Sequence, residues 1–354
     1  MARAVRLAGN GLYTTSPNPR VGCVIVKDNR VVGEGWHMKA GGDHAEIVAL
    51  KQAGPLATGA CCYVTLEPCI HTGKTPPCTP ALVQAGVTHV ITAMIDPNPR
   101  VAGKGLQQLH AAGINAESGL LEGEARALNP GFIKRMTQGL PYVRCKIAVS
   151  ADGKTALMNG ASQWITGEQA RMDGQRWRAQ SCAIMSGIGT VLADDPLLTV
   201  RDVDTLSRRP LRVIIDRQLR TPPTAKLLSE PGPVVIFTAS HETERQQALS
   251  AQGAVIVDIE GDNFLRDCLV YLAKTHEINE VLLEAGAGLS GSMIKAGLVD
   301  ELIVYQAAVI LGDKAMPMLV LPEITELGKA ISMMLTDMRH IGSDIRLSYL
   351  LNRT

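Results

Sequence analysis

A histidine, a glutamate and two cysteines constrain this chain more than anything else in it. HAE occupies positions 44–46, Pro68-Cys69 follows, and a second cysteine stands at position 78. Zinc favours tetrahedral nitrogen and sulfur ligands, and a catalytic site supplies three of them and leaves the fourth position to water. His44, Cys69 and Cys78 can serve only if the fold brings three separate segments to one point. The intervening sequence says how. HAEIVALKQAG carries Ile47, Val48 and Leu50 at helical spacing and stops at Gly54. CCYVTLE (Cys61 to Glu67) reads as a buried strand, and TPALVQAG as a further helix. The imidazole thus begins one helix, while the thiols flank a loop feeding another, whose N-terminus favours thiolates. Glu46, two residues past His44, is placed to take a proton from water and hand it to a ring nitrogen and then to departing ammonia.

Histidine-x-glutamate followed by proline-cysteine and a second cysteine is the general signature of zinc deaminases. Their usual C-x2-C is C-x8-C here, with IHTGKTPP between the sulfurs. A structural zinc site would recruit His71 as fourth ligand, but would leave Glu46 without a role. A lone cysteine is ordinarily a small core residue. Cys23, Cys61, Cys62, Cys145, Cys182 and Cys268 lie mostly in apolar runs and are read as core.

The chain's 354 residues suit two domains of roughly 100–200 residues each. Lysine and arginine total 35 against 34 aspartates and glutamates, so no global field attracts nucleic acid or an anionic membrane. No apolar run approaches the roughly 18 residues of a membrane span. The start, MARAVRLAGNGLY, lacks the apolar core of an export signal. Reduced thiols and a cytoplasmic location are the expectation.

Two α/β blocks are expected. The first runs through strands Val21 to Val26 and Val31 to His37, joined by a hairpin at Asp28-Asn29, then helix, strand, helix and the strand His89 to Asp96. This order predicts a mixed sheet with helices on its faces. Pro130, Gly131, Gly139 and Pro141 interrupt both periodicities, and the boundary falls near Gly139, giving domains 1–139 and 140–354. The second block restarts at Tyr142 to Ser150. CAIMSGIG, LRVIIDR, VVIFTA, AVIVDI, EVLLEAG and ELIVYQAAVI follow as strands, with GEQARMDGQRWRAQ and DNFLRDCLVYLAKTH as interleaved helices.

The motifs PNPRVGCVIV, GEGWH, HAE, YVTLEPC, TPPC, DPNP and VAGKG, in that order, resemble the first half of the bacterial bifunctional riboflavin-biosynthesis deaminase/reductase family. KIAVSADGKTA, SQWIT, RAQ, TVLADDPLLTVR, EAG and GLVDELIVY resemble its second half. The resemblance implies a cytidine-deaminase-like α/β/α domain followed by a dihydrofolate-reductase-like α/β domain. It implies zinc hydrolysis of the 2-amino group of 2,5-diamino-6-ribosylamino-4(3H)-pyrimidinone 5′-phosphate, then NADPH reduction of the ribosyl group to ribityl. The partner is therefore a phosphorylated pyrimidine rather than nucleic acid or membrane, and assembly of identical subunits is expected. Asn18, His37 and Lys74 would contact the deaminase substrate, Lys74 as a point charge for phosphate. Taken alone they would be a turn asparagine, a strand-end histidine and a solvated lysine. The family's usual serine and histidine in the zinc loop are Ile70 and Thr72 here.

In the second half, LLEAGAGLSGS holds a literal G-x-G-x-x-G at Gly286, Gly288 and Gly291, where backbone amides can bind phosphate. A Rossmann dinucleotide site would end its next strand in an acidic residue; ELIVYQAAVI offers Gln306. With the resemblance, Gly286, Ala287, Gly288, Leu289, Ser290, Gly291 and Ser292 become the NADPH diphosphate segment. The same resemblance puts Ala148, Trp164, Thr190 and Asp194 near the cofactor, and Ser162, Arg178, Leu198, Arg201 and Glu284 near the substrate. Lys146, Asp194 and Glu284 are candidates for the polar group that assists hydride transfer, although Lys146 also reads as a strand-edge charge and Asp194 as a helix cap. Arg217 stands where relatives often carry serine near the cofactor. Two other readings compete. A nucleic-acid deaminase would need a basic groove with stacking aromatics, against an aromatic content of 3% and a net charge of +1. A single-activity enzyme would use its C-terminal half for assembly alone, and would bind no cofactor there.

Overall fold

The computed structural model describes residues 1–70 and 75–352. The chain divides into two compact units, Met1–Leu140 and Pro141–Thr354.

In the first unit, helix α1 (Ala2–Gly9) precedes a hairpin of β1 (Gly22–Lys27) and β2 (Arg30–Trp36). Helix α2 (Ala45–Ala53), strand β3 (Cys61–Val64), helix α3 (Cys78–Gln84), strand β4 (His89–Thr92), helix α4 (Lys104–Ala111) and strand β5 (Asn115–Ser118) follow. Helices α5 (Glu122–Leu128) and α6 (Pro130–Gln138) complete the unit. The sheet runs β2-β1-β3-β4-β5, with β1 antiparallel to both neighbours and β3, β4 and β5 parallel. Asp28 and Asn29 turn the hairpin with φ of 49° and 59°, the left-handed geometry that matches strand twist in a two-residue turn.

The apolar face expected for α2 is not the one buried. Ala45, Glu46, Ala49 and Ala53 face inward, while Ile47, Val48 and Leu50 are half-buried. The cause lies in β2, where a Cβ on Gly33 would strike the Ala49 carbonyl oxygen. The helix lies so close to the sheet that Ala49 and Ala53 meet β2 at Gly33, and Val48 fits only because Gly35 faces it. That close approach carries the Glu46 carboxyl into the interior. A second departure concerns Pro130, which opens α6 instead of breaking the pattern, its missing N–H being one that a first turn leaves unpaired anyway.

The second unit begins with β6 (Tyr142–Val149), β7 (Lys154–Ala156), α7 (Glu168–Gln180), β8 (Ala183–Gly187) and α8 (Ile188–Asp194). It continues with β9 (Leu211–Ile215), α9 (Lys226–Ser229), β10 (Val234–Thr238), α10 (Thr243–Ala251), β11 (Ala254–Asp258) and α11 (Phe264–Thr275). After β12 (Glu280–Leu283), α12 (Ala287–Lys295), β13 (Glu301–Gln306) and β14 (Met316–Pro317) comes a hairpin of β15 (Met333–Ile341) and β16 (Asp344–Leu351). Nine strands form one sheet, β11-β10-β9-β8-β12-β6-β13-β16-β15. The run from β11 to β13 is parallel, and β16 and β15 extend it antiparallel. Strands β8, β9, β10 and β12 are buried along their whole length, as parallel strands covered on both faces should be. Ligands of such sheets bind beyond the carboxyl ends of the strands.

Candidate zinc centre and reductase site

Residue His44 stands at the N-cap of α2 with extended backbone. Cys69 lies in the loop after β3, and Cys78 begins α3. The loop is folded back on itself: the amides of Cys78 and Thr79 donate to the Cys69 carbonyl at 3.1 and 3.2 Å, and the Cys78 amide also approaches Cys69 Sγ at 3.3 Å. His44 Nδ1 lies 3.2 Å from Cys78 Sγ and 3.5 Å from Cys69 Sγ. One donor atom from each of the three residues falls within 4.8 Å of the others. Around a tetrahedral zinc, a nitrogen and a sulfur sit about 3.6 Å apart. The three groups fit that ion. The hydrogen bond between the sulfurs lowers the Cys69 thiol and raises that of Cys78, as expected of two thiols sharing a proton that a metal would displace.

Since Nδ1 faces both sulfurs, His44 would bind a metal through that lone pair and carry its proton on Nε2. Thr75 Oγ1 lies 3.1 Å from Nε2 and accepts it. Threonine 75 escapes a motif reading, because the loop's path alone brings it there. Such outer partners fix ring orientation and are typically worth about 10–100-fold in metal affinity. Thr75→Val is expected to weaken zinc binding by about that factor, measured by competition with a chromogenic chelator. An unchanged affinity would leave Thr75 with no part in holding the ring.

Glu46 is 4% exposed and buried beside these donors. Burial pushes its carboxyl up to about 7. His37 at the end of β2 stacks edge-on against His44, ring centroids 5.4 Å apart. Burial lowers its pKa, so it is a neutral imidazole. Its Nδ1 contacts the Asp43 carbonyl at 2.9 Å. A carbonyl only accepts, so Nδ1 bears the proton and Nε2 accepts from the Asn18 amide at 3.0 Å. The Asn18 Oδ1 is thereby left to accept an N–H from elsewhere. His71, Thr72 and Lys74 lie outside the described residues.

Glu67 is a further group that sequence reasoning missed. Its buried carboxylate accepts the amides of Asp96, Gly103, Gly105 and Leu106 at 2.8–3.2 Å, pinning the DPNP segment beside Cys69. Burial raises Asp96 to about 7.

The second unit brings together Lys146 on β6, Arg178 on α7 and Glu284 just after β12. Arg178 grips Glu284 in a fork, Nε to Oε1 at 2.7 Å and Nη2 to Oε2 at 2.9 Å. Lys146 Nζ is 3.5 Å from Oε2. Burial works to raise the Glu284 carboxyl, but the two cations overrule it and hold it at about 2. Arg178 also donates to the Thr199 carbonyl at 3.0 Å, tethering the segment that carries Leu198 and Arg201. Leu198 is buried in the core. Arg201 is exposed. Asp194 is the exposed last residue of α8, so it caps no helix start.

Gly286 caps α12, and its amide donates to Thr190 Oγ1 at 3.2 Å, joining the turns after β12 and β8. The glycines differ in purpose. A Cβ on Gly291 would collide with the Val320 carbonyl, so Gly291 serves packing. Beside Gly288 there is open space, as a backbone that receives a diphosphate requires. Ser290 is buried and bonded to the Ala285 carbonyl at 3.2 Å, while Ala287, Leu289 and Ser292 complete the first turns of α12. Ala148 is half-buried on β6, Ser162 is half-buried in the loop between β7 and α7, and Trp164 is 69% exposed beneath the Arg171 guanidinium at 4.8 Å.

Residues 1–94 match the cytidine and deoxycytidylate deaminase zinc-binding region, and residues 141–347 match the RibD C-terminal domain. The riboflavin biosynthesis protein RibD of Escherichia coli is 47% identical over 98% of this chain and 96% of its own length. That of Haemophilus influenzae is 48% identical over 99% and 96%. The chain belongs to the RibD family. Among solved structures, Acinetobacter baumannii RibD superposes with a TM-score of 0.94 at 47% identity, covering 99% of this chain and 98% of that one. A Thermotoga maritima diaminohydroxyphosphoribosylaminopyrimidine deaminase/5-amino-6-(5-phosphoribosylamino)uracil reductase gives 0.88 at 32% identity, covering 99% and 97%. Like its RibD relatives, the chain joins a zinc deaminase to a reductase in riboflavin biosynthesis. The cytidine-deaminase-like and reductase folds are therefore those the motifs implied, and its substrate is a small molecule. No described helix is long and apolar enough to cross a membrane.

Proposed function

We propose that the N-terminal unit hydrolyses the 2-amino group of 2,5-diamino-6-ribosylamino-4(3H)-pyrimidinone 5′-phosphate, and that the C-terminal unit reduces the ribosyl group of the product to ribityl. The observation that carries the first step is the convergence of His44 Nδ1 and two sulfurs beside a buried carboxylate that is not among them. Zinc held by His44, Cys69 and Cys78 supplies Lewis acidity. Glu46 takes a proton from the attacking water as its oxygen bonds to C2 and passes it to the ring nitrogen; it then takes the remaining proton of the new hydroxyl and gives it to the amine, which leaves as ammonia as the C2 carbonyl forms. Asn18 Oδ1, aimed by His37, accepts an N–H of the pyrimidine, and Lys74 meets the phosphate.

In the second unit Gly286–Ser292 would hold the diphosphate of NADPH, with Ala148, Trp164, Thr190 and Asp194 beside the cofactor, which would supply the hydride. Glu284, ionised well below neutral pH, has no proton to give, so the structure argues against it as the donor. It orders Lys146 and Arg178 instead. Lys146, a cation facing that carboxylate, is the group that stabilises or protonates the reacting end of the opened ribose. Ser162, Leu198 and Arg201 hold the substrate, and Arg201, unlike Arg178, brings charge not already balanced by Glu284. The same reading places the protein in the cytoplasm as an assembly of identical subunits. Edge strand β15 exposes Met333, Met334, Leu335 and Met338, an apolar border that soluble chains normally cover.

Full-length protein is expected to release ammonia from the diaminopyrimidinone without NADPH, and to oxidise NADPH when given the deaminated product. Silence in either assay defeats the corresponding half.

A further inference from the structure

We propose that Asp173 and Tyr305 are positioning residues for the reduction, which set the rotation of α7 and thereby aim Arg178 at Glu284. The inference rests on the reading that Lys146, Arg178 and Glu284 serve that step.

On a helix, residues at i, i+3, i+4 and i+7 form one stripe. In α7 the inward stripe is Ala170, Asp173, Gly174 and Trp177. Alanine and glycine offer no side chain large enough to lock a helix against a sheet, and a Cβ on Gly174 would meet nothing within 4 Å. Where a sheet-facing helix ordinarily keys itself with interdigitating apolar side chains, α7 carries a carboxylate. A buried carboxylate is costly unless it is paired and hydrogen-bonded. Asp173 therefore needs partners, and those partners hold it in place.

The sheet supplies them. Tyr305 on β13 and Arg346 on β16 are register partners, so both side chains stand on the face that α7 covers. Asp173 Oδ2 accepts the Tyr305 hydroxyl at 2.6 Å and Arg346 Nη1 at 2.7 Å. The same hydroxyl accepts the Trp177 indole N–H at 3.0 Å, tying together two residues one helical turn apart. Arg346 Nη2 reaches on to Asp337 of β15 at 2.8 Å. At the start of α7 the Gly167 amide donates to Asp344 Oδ2 at 2.7 Å. That single contact at one end leaves the helix free to turn about its axis; the Asp173 and Trp177 contacts on the inner face do not. Arg178 follows Trp177 about 100° further round the helix and turns to Glu284 and the Thr199 carbonyl. A rotation of about 20° would carry atoms at the 5–6 Å side-chain radius through about 2 Å. Fork bonds of 2.7 and 2.9 Å do not survive such a shift. Asp173 and Tyr305 are themselves buried between α7 and the sheet, so they act through Arg178.

Tyr305→Phe removes the shared hydroxyl and keeps the ring. In the full chain, turnover of NADPH on the deaminated product is expected to slow about 10–100-fold, the order of effect that a misplacement of about 1 Å produces. Calorimetric titration should find NADPH bound with unchanged stoichiometry and affinity. Asp173→Asn, which keeps the shape and gives up the charge facing Arg346, should act in the same direction. The deciding measurement is a double variant. Arg178→Lys keeps a cation beside Glu284 but has no fork to aim, so in that background Tyr305→Phe should change the rate by less than about twofold. Full-rate reduction by Tyr305→Phe, or effects that multiply in the double variant, overturns the role. Loss of NADPH binding overturns it too, because the hydroxyl would then support the unit as a whole. If Arg178→Lys alone reduces at the full rate, the reading of the site fails and the assignment falls with it.

Discussion

Glu46→Gln is expected to lower the deaminase turnover number by about 10²–10⁴-fold, while the protein keeps its zinc and its reductase activity. The amide fills the same volume but cannot take up a proton, so water activation and ammonia departure both lose their carrier. Zinc should remain because the three donors that converge are His44, Cys69 and Cys78. The Michaelis constant should move little, since the residues proposed to bind the pyrimidine are Asn18, His37 and Lys74. Glu46→Asp, which withdraws the carboxylate by one methylene, should retain part of the rate. Ammonia release under single-turnover conditions, with zinc by elemental analysis, distinguishes this from a merely structural glutamate. Near-complete turnover by Glu46→Gln, or loss of zinc with it, would remove Glu46 from the proton path.

The metal donors were legible because their chemistry is local: HAE, PC and Cys78 each sit beside a helix or strand whose pattern is plain. What surrounds them was not. The inward turn of Glu46 follows from Gly33, on another element, allowing α2 to approach the sheet. Glu67 binds amides as far along the chain as Leu106. The C-terminal hairpin was missed altogether, and its pattern explains why. Along β16 the buried side chains are Asp344, Arg346 and Ser348, while Ile345, Leu347 and Tyr349 are half-buried. Asp344 accepts the Gly167 amide at 2.7 Å, and Arg346 pairs with Asp173 at 2.7 Å and Asp337 at 2.8 Å. Polar groups can face inward only because partners from α7 and β15 await them, and no window of sequence reveals those partners. In Gly286–Ser292 the spelling of the motif was visible, but the division of labour between Gly288 and Gly291 depends on Val320.

The other large effect is expected at Glu284. Its carboxylate faces two cations, Arg178 and Lys146, and its side chain is 13% exposed. Glu284→Gln leaves both cations without their counter-charge, and breaking a buried pair from one side typically costs about 3–5 kcal/mol. Reduction should fall with it, because Lys146 and the Thr199 tether held by Arg178 lose their common anchor. The pH dependence separates charge from shape. The folded-state pKa of about 2 lies below the ordinary 4.5. The stabilisation is therefore complete above about pH 4.5 and is lost as the pH falls through about 2, amounting in full to about 3 kcal/mol. The difference in unfolding free energy between the unaltered chain and Glu284→Gln should shrink by about 2 kcal/mol from pH 6 to pH 3. Urea unfolding followed by tryptophan fluorescence in a Trp36→Phe background, which leaves Trp164 and Trp177, reads the C-terminal unit. A gap that stays constant across that range would mean the carboxylate acts through packing, and that Lys146 and Arg178 are held by something other than its charge.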